Sequence, residues 1–243
     1  MKRAMKRTLA AGLLLAIAVS ALAQTLPPFS SMAPDQALPT PLRFITLPRI
    51  SPNKISLVSD EGKTVLRIDS DNSAGSIGIP LTAARAQGNT SLEWRWKVSR
   101  MLERADLEKK TGDDYAARVY VFFDVPLETL PFVERSKIKL ARMMAGGDVP
   151  AAALCYVWDN KHRMGLRAWS PYSNRVRMIV LQSGPDSVGQ WKSESRDVAA
   201  DFREAFGTEM PAVTGVAVGN DTDNTEDKVT TWFGDVNFVG ARK

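Results

Sequence analysis

The sequence predicts an all-β fold, a mainly antiparallel sandwich or jelly roll with two or three short helices. About ten short segments alternate apolar and polar residues with the period of two expected for strands that bury one face. Turn-forming clusters of Gly, Asp, Asn and Ser separate these segments at the spacing typical of sandwiches. Strands do not alternate regularly with long helices along the sequence, which argues against a doubly wound parallel sheet.

The clearest predicted strand is 91–98, in which Leu92, Trp94 and Trp96 alternate with charged residues. All predicted strands, in chain order, are 54–58, 64–69, 75–79, 91–98, 115–124, 152–159, 165–170, 175–182, 189–195, 212–218 and 229–238. Helices are predicted at 131–145, with Pro131 in its first turn, and at 197–206, which Asp197 can cap. The charged segment 99–111 predicts a short helix or a solvated loop.

The N-terminus predicts export. Residues 1–23 have a basic start, a short apolar run over 9–19 and a small-residue cleavage site near Ala23-Gln24, as in secretory signal peptides. The apolar run is too short to span a bilayer comfortably, so stable membrane insertion is not expected. Residues 24–41 predict a Pro-rich, poorly ordered leader, and 42–243 a single β-sandwich domain. The expected location is the periplasm or the exterior.

Charge and cysteine content restrict the function further. The chain has 32 basic and 27 acidic residues, and loss of the four basic residues of 1–23 leaves a net charge of only +1. This balance argues against a nucleic-acid partner, which requires a basic excess or stripe. Cys155 is the only cysteine, and its apolar surroundings predict a small buried hydrophobe rather than a nucleophile.

A polar face across several strands is the main candidate site. The candidate ligand-binding residues are Glu93, Arg95, Asp114, Arg118, Tyr120, Asp159, Arg177 and Asp235. If the strands are sheet neighbours, guanidinium and carboxylate groups would bind vicinal hydroxyls or acidic sugars, and Tyr120 would provide a stacking surface. Asp114 would then be a carboxylate at the mouth of the cleft. The alternative is an ordinary solvated sheet face with cross-strand ion pairs.

The acidic segment 221–226 suggests calcium as the one possible cofactor. Asp221 and Asp223 occupy the first two ligand positions of a helix-loop-helix calcium loop. Glu226 stands where that loop needs Gly, and Trp232 stands where it needs a bidentate Glu. A non-helical calcium site and a plain polar hairpin loop both remain open.

Catalytic motifs are sparse. His162 is the only histidine and is predicted to be a loop surface group, and one His with one buried Cys cannot supply a His-based zinc site. Glycoside hydrolysis needs only two carboxylates, which Glu93, Asp114, Asp159 and Asp235 could supply as a pair. A lyase with Tyr120 or Lys97 as base is an equally open alternative.

Several strings, taken together, resemble a known bacterial family: LEWRWKV, KTGDDYAARVYVFFD, ALCYVWDN, RVRMIVLQSG, GQWKSESRDVAADFREAFG and NDTDNTEDKVTTWFGDVNF. They resemble the family called domain of unknown function 3047, from about Lys54 to the C-terminus. The resemblance implies an exported single domain, a β-sandwich, with no activity that can be assigned to a residue. The WFGDVNF strand also looks similar to the last strand of jelly-roll carbohydrate-binding modules.

We therefore expect an exported, non-enzymatic binding module for carbohydrate or another polar envelope ligand. The first alternative is a polysaccharide hydrolase or lyase that uses the same sheet face. The second is a structural or assembly partner in the cell envelope. The oligomeric state does not follow from the sequence.

Overall fold

Two β-sheets pack against each other in the computed structural model, which describes residues 28–81, 91–145 and 150–239. The strands of these residues are β1 (Arg43–Ile45), β2 (Lys54–Asp60), β3 (Lys63–Asp71), β4 (Ala74–Pro80), β5 (Ser91–Val98), β6 (Tyr115–Phe123), β7 (Ala152–Asp159), β8 (Arg167–Ser170), β9 (Ser173–Ser183), β10 (Lys192–Asp197), β11 (Val213–Asp221), β12 (Lys228–Phe233) and β13 (Asn237–Val239). The two helices are α1 (Phe132–Ala145) and α2 (Val198–Phe206). The predicted signal peptide, 1–23, lies outside the described residues.

The strand order confirms the predicted antiparallel sandwich. One sheet has seven strands in the order β1-β4-β11-β6-β7-β9-β8, and the other has six, β10-β5-β12-β3-β2, with β13 also paired to β5. Among the pairs in the described residues, only β7 with β9 is parallel. The fold class and both predicted helices therefore agree with the structure.

The core lies between the two sheets. Every second residue of β5 is buried, so that Trp94 and Trp96 point inward. Val119 and Val121 of β6 belong to the same core from the opposite sheet. Burial of each large apolar side chain contributes about 1.5–3 kcal/mol to stability, so this alternation sets which face of each strand is exposed to solvent.

The N-terminal segment differs from the predicted leader. Phe29 and Met32 are buried in the main core, next to a 3-10 turn over Phe29–Ser31 that contacts β3. Phe29 and Met32 therefore pack on the domain, while most of the other described residues of 24–41 are exposed. The reason is burial of the Phe29 side chain, which composition alone does not reveal in a Pro-rich segment.

Two further segments differ from their predictions. Residues 99–111 form no α-helix. They are not a solvated loop either, because Leu102 and Leu107 are buried. The single strand predicted at 229–238 is two strands, β12 and β13, separated by Gly234–Val236. The first difference reflects two buried apolar residues in a mostly charged segment.

A buried side chain, Asn220, links the two sheets. It is 0% exposed on β11, and its Nδ2 donates to Thr231 Oγ1 (2.8 Å) and to the Ile68 carbonyl (3.2 Å), both in the other sheet. Its Oδ1 accepts from Asn53 Nδ2 at 2.8 Å. The Thr231 hydroxyl in turn donates to the Ala116 carbonyl of β6. All these polar atoms are satisfied inside the core, where each lost partner costs about 1–3 kcal/mol.

A second buried side chain, Asp201, fixes α2 to strands of both sheets. Its carboxylate accepts from Tyr156 Oη (2.9 Å) on β7 and from Arg196 Nη2 (2.6 Å) on β10. Arg167 Nη2 on β8 lies 3.3 Å away. α2 begins after Asp197, whose Oδ1 accepts from the Ala200 amide at 3.0 Å as predicted for its cap.

In the ranges given above, neither helix has the length and apolar character needed to cross a lipid bilayer.

We expect Asn220→Ala to lower the free energy of unfolding by about 2–4 kcal/mol, because it leaves Asn53, Thr231 and the Ile68 carbonyl without their shared partner. Urea unfolding followed by tryptophan fluorescence measures the change. Asn224→Ala is the matched control, since Asn224 is exposed and its side chain bonds only the Lys110 carbonyl at 3.1 Å. Equal losses in the two variants would contradict the role of Asn220.

Candidate functional site

The predicted polar face is divided between opposite sides of the sandwich. Glu93 and Arg95 lie on β5 in the six-stranded sheet, whereas Arg118 and Tyr120 lie on β6 in the seven-stranded sheet. Both strands turn their apolar residues toward the shared core, so their polar residues point away from each other. The condition for one common polar face, that these strands are neighbours in a sheet, is therefore not met.

An open cleft of about 450 Å³ lies along β5. Glu93 and Arg95 contribute from β5, and Ser195 and Ser193 lie directly opposite them on β10. On the other side the lining residues are Gly234, Asp235 and Asn237. Asn237 is the partner of Glu93 across β13 and β5. We call this the β5 cleft, and it contains three of the predicted ligand residues, Glu93, Arg95 and Asp235.

The interruption between β12 and β13 forms one side of the β5 cleft. The Gly234 amide donates to the Arg95 carbonyl at 2.9 Å, so the chain stays attached to β5 while it leaves the regular ladder. A Cβ atom on Gly234 would lie only 2.5 Å from Arg95 Cγ. A side chain at position 234 would therefore collide with the Arg95 side chain in its present position.

The Arg95 guanidinium is held on an aromatic surface. Its Cζ lies 4.2 Å from the centroid of the Trp191 ring, and Nη1 lies 3.5 Å from Glu61 Oε2. Trp191 is itself fixed, because its Nε1 donates to Asp60 Oδ1 at 3.1 Å. Lys97 Nζ lies 5.0 Å from the same ring and pairs with Asp60. The positive charge at this side of the cleft is therefore positioned before a ligand arrives.

Asp235 has a structural role that its position in sequence does not reveal. Its Oδ1 accepts from the Ser30 amide at 2.9 Å, and its Oδ2 accepts from the Ser30 hydroxyl at 2.5 Å. Both carboxylate oxygens therefore bind the N-terminal segment. Glu93 differs, since its Oε1 lies 3.4 Å from the Ser195 hydroxyl within the cleft.

The acidic cluster, Asp113, Asp114, Asp221 and Asp223, lies on the seven-stranded sheet. Asp221 is the last residue of β11, not part of the loop predicted at 221–226, and it pairs in register with Tyr115. Asp114, Asp221 and Asp223 each place one carboxylate oxygen within 4.8 Å of the others. Arg118 Nη1 lies 2.6 Å from Asp221 Oδ2.

Most oxygens of the acidic cluster already accept hydrogen bonds. Asp221 Oδ1 accepts from the Tyr115 amide (3.0 Å), and Asp114 accepts from the amides of Thr225 (2.7 Å) and Asn224 (3.1 Å). Asp114 therefore holds the 222–227 turn, and its place at the mouth of a cleft stays a prediction. Asp114, Asp221 and Asp223 could hold a hard cation beside Arg118, and calcium binding by Asp221 and Asp223 remains a prediction.

The acidic cluster carries more negative charge than Arg118 balances. Burial raises the pKa of Asp221 well above its usual range, the other three carboxylates add to the effect, and Arg118 opposes it. Burial and the Asp114 charge likewise raise the pKa of Asp223. Burial also raises the pKa of Asp113, although its Oδ1 accepts from Tyr115 Oη at 2.7 Å.

Of the remaining predicted residues, Tyr120 lies beside Arg118, whose Cζ is 5.2 Å from the centroid of the Tyr120 ring, whereas Asp159 and Arg177 lie elsewhere. Tyr120 stacks on Phe122 with ring centroids 5.6 Å apart, and burial raises the pKa of its phenol well above 10.0, which disfavours the lyase role of a base. Asp159 is buried at the end of β7. Arg177 lies 4.8 Å over the Trp169 ring near the β8 edge. As predicted, Cys155 is buried, and burial raises the pKa of its thiol to about 12.

Sequence reasoning missed the contribution of β10 to the β5 cleft. Segment 189–195 is predicted as a strand, and Ser193 and Ser195 alternate with charged residues there. That alternation predicts that both hydroxyls lie on one face, but it does not predict which strand pairs with this one. The pairing of β10 with β5 joins residues that are about a hundred positions apart in the chain, such as Ser195 and Glu93.

We expect Asp223→Asn to raise the free energy of unfolding by about 0.5 kcal/mol at about pH 7 and to leave it unchanged at about pH 4. A raised folded pKa means that the folded state binds the proton more tightly, so stability falls as pH rises above the unfolded value near 4. The asparagine removes this loss. Urea unfolding at both pH values, with EGTA present, measures the difference.

Asp186→Asn, a change at an exposed aspartate outside the acidic cluster, is the control and should show no such pH-dependent gain. A lower stability of Asp223→Asn at neutral pH would contradict the prediction and assign the carboxylate a bonding role.

The solved structures that resemble this chain include two carbohydrate-binding modules and one xyloglucanase domain. The family 30 module of a cellulosomal cellulase of Clostridium thermocellum has 13% identity over 82% of this chain and 87% of that chain, with a TM-score of 0.38. The family 11 module of another cellulosomal cellulase of the same organism has 6% identity over 87% and 95%, with a TM-score of 0.41. The xyloglucanase domain of a type three effector from Sinorhizobium fredii, solved with cellobiose, has 10% identity over 84% and 100%, with a TM-score of 0.41.

These similarities concern the fold alone. No curated protein matches the chain. A family model does match, over residues 42–237. The chain belongs to the family described as protein of unknown function DUF3047.

Proposed function

We propose that this protein is an exported binding protein that holds a carbohydrate, or another polyhydroxylated envelope ligand, in the β5 cleft. The observation that carries the proposal is the Arg95 guanidinium, which lies 4.2 Å from the centroid of the Trp191 ring at the side of an open polar cleft. Opposite groups in the cleft are hydroxyl, carboxylate and amide. This set offers donors and acceptors to vicinal hydroxyls, which have both.

Positioning of Arg95 favours binding energetically. A free arginine side chain loses rotamer freedom when it binds a ligand, at a cost of about 0.5–1.5 kcal/mol. Here Trp191, Glu61 and the close approach of Gly234 restrict the side chain in the folded protein. Most of that cost is therefore met on folding. The planar guanidinium can then bind two adjacent oxygens, which a lysine cannot do in the same way.

The carboxylates of the β5 cleft support binding over hydrolysis. Asp235 is engaged by Ser30, as described above. Glu194 also borders the cleft, but its Oε1 accepts from Trp96 Nε1 (3.1 Å) and Gln182 Nε2 (2.8 Å), on the core side of the sheet. Burial raises the pKa of Glu194. Glu93 points to the opposite side of the sheet from Glu194, so these two carboxylates do not form a facing pair of the kind used by glycosidases.

Export is the second part of the proposal. It rests on the sequence of 1–23, whose basic start, short apolar run and small-residue cleavage site match a secretory signal. A binding module for envelope glycans would have to be located outside the cytoplasm, so the two parts are consistent with each other.

We expect Arg95→Ala to weaken binding of an oligosaccharide ligand by about tenfold to a hundredfold, because a hydrogen bond to a charged group contributes about 1.5–3 kcal/mol. A panel of neutral and acidic oligosaccharides on a glycan array identifies the ligand, and calorimetry gives the affinity. Arg95→Lys should also weaken binding, since the charge remains and the planar fork is lost.

Arg203→Ala is the control for these arginine variants, because Arg203 is half-exposed on α2 and pairs with Glu209 instead of bordering the cleft. Failure of the whole panel to bind, or equal affinity in Arg95→Ala and the unchanged protein, would contradict the proposed function.

We expect the protein recovered from the periplasm or medium to begin at or near Gln24. N-terminal sequencing together with the intact mass checks the position. A chain that retains Met1 and stays in the cytoplasm would contradict export and leave the ligand test unaffected.

A further inference from the structure

Two loops at the ends of β5 and β7 bring four ionisable side chains together. Asp106 and Glu108 lie in the segment that follows β5, and Asp159 and His162 lie at the turn that follows β7. Oxygens of Asp106 and Glu108 and a ring nitrogen of His162 lie within 4.8 Å of one another. His162 is not the surface group predicted from the sequence, because its side chain is only 16% exposed.

The imidazole of His162 has a fixed orientation. Asp159, 4% exposed, accepts from the backbone amides of Lys161 (2.8 Å) and His162 (2.7 Å) through Oδ1. The same carboxylate lies 3.1–3.2 Å from His162 Nδ1. A carboxylate at this distance binds a protonated Nδ1, so in the neutral ring Nε2 carries the lone pair. This carboxylate-histidine arrangement is the one that supports metal-binding histidines.

One carboxylate oxygen each of Asp106 and Glu108 faces the lone pair of His162 Nε2. Asp106 Oδ1 lies 4.0 Å away and Glu108 Oε2 lies 3.9 Å away, both beyond hydrogen-bond distance. Neighbouring ligand atoms around a tetrahedral zinc ion are about 3.3 Å apart. These two distances are therefore wider by less than an ångström, and Asp106 and Glu108 oxygens lie within 4.8 Å of each other. Glu108 is an exposed side chain that can move inward.

The surroundings prepare Asp106 as a ligand. Its Oδ2 pairs with Lys109 (2.9 Å) and Lys161 (3.0 Å), and Oδ1 faces His162. These lysine contacts lower the pKa of Asp106, which keeps its carboxylate charged. The two lysines largely balance the negative charge of the four ionisable side chains. Electrostatic attraction alone would therefore bind a cation only weakly. Coordination by the imidazole is what would select the ion.

The loops are held in place without an ion. Asn160 Nδ2 lies 2.8–3.1 Å from the carbonyls of Leu102, Glu103 and Ala105, which joins the two loops. The Asp106 amide donates to the Gly112 carbonyl at 2.7 Å. A Cβ on Gly112 would lie 2.7 Å from the Asp106 nitrogen, so glycine is required for this contact.

We propose that His162, Asp106 and Glu108 form a binding site for a divalent first-row transition-metal ion, with Asp159 as the buried partner that orients the histidine. One imidazole nitrogen and two carboxylate oxygens suit zinc and its neighbours better than calcium or magnesium, which prefer oxygen ligands alone. Three protein ligands leave a coordination position for water or for a group from outside. The bound ion would connect the two loops at this end of the sandwich.

The test uses the mature chain after treatment with EDTA, titrated with zinc chloride in a calorimeter. We expect one ion per chain. Glu108→Gln and His162→Gln should each weaken zinc binding at least tenfold, and Asp159→Asn should weaken it by about tenfold to a hundredfold through the orientation of the ring. Because His162 is the only histidine, cobalt substitution and X-ray absorption should report one histidine nitrogen.

Glu209→Gln, a change at an exposed carboxylate on another part of the surface, is the control and should bind zinc as the unchanged chain does. Glu108→Gln alters an exposed side chain, so it tests the proposal even if the His162 variant does not fold. The proposal would be overturned by no zinc binding, by zinc binding in Glu108→Gln and His162→Gln as tight as in the unchanged chain, or by calcium binding as tight as zinc binding.

Discussion

The hydrogen bonds of Asn220 are the constraint on which much of the sandwich depends. This buried amide on β11 binds groups on β3 and β12 of the opposite sheet and is itself bound by Asn53. Apolar packing allows the two sheets to shift slightly relative to each other. A buried amide keeps all its hydrogen bonds in only one relative position of the sheets. These hydrogen bonds fix the relative position of β11 and β12. The 222–227 turn connects the two strands, contains Asp223 and is bound by Asp114.

The consequence reaches the β5 cleft through β12. With Thr231 fixed beneath Asn220, β12 pairs with β5 as far as Phe233, and the chain then leaves the ladder at Gly234. It returns as β13 beside Glu93. The space opened by this departure accommodates the Arg95 side chain, and Asp235 turns toward Ser30. A buried polar contact in the core thus holds the same strand, β12, that ends beside the β5 cleft.

The two candidate sites differ in how far the sequence predicts them. Glu93 and Arg95 are predicted to share a face because alternation along one strand is a local property. Their neighbours Ser193 and Ser195, and the separation from Arg118, depend on which strands pair, and period-two patterns carry no information about pairing. At His162 the sequence predicts no zinc site, because it has too few histidines and cysteines. The two carboxylates of the proposed site come from a loop more than fifty positions away, and the sequence does not show that they lie near His162.

Local patterns in the sequence determined the antiparallel sandwich class, the two helices with the Asp197 cap, the inward tryptophans of β5 and the buried state of Cys155. Each follows from hydrophobic periodicity or capping within a few residues. Only the tertiary structure decided that Phe29 enters the core, that Asp235 binds Ser30, that the polar residues divide between opposite faces, and that Asp159 orients His162. These features depend on contacts between distant segments, whose energies are set by burial and strand pairing in the folded chain.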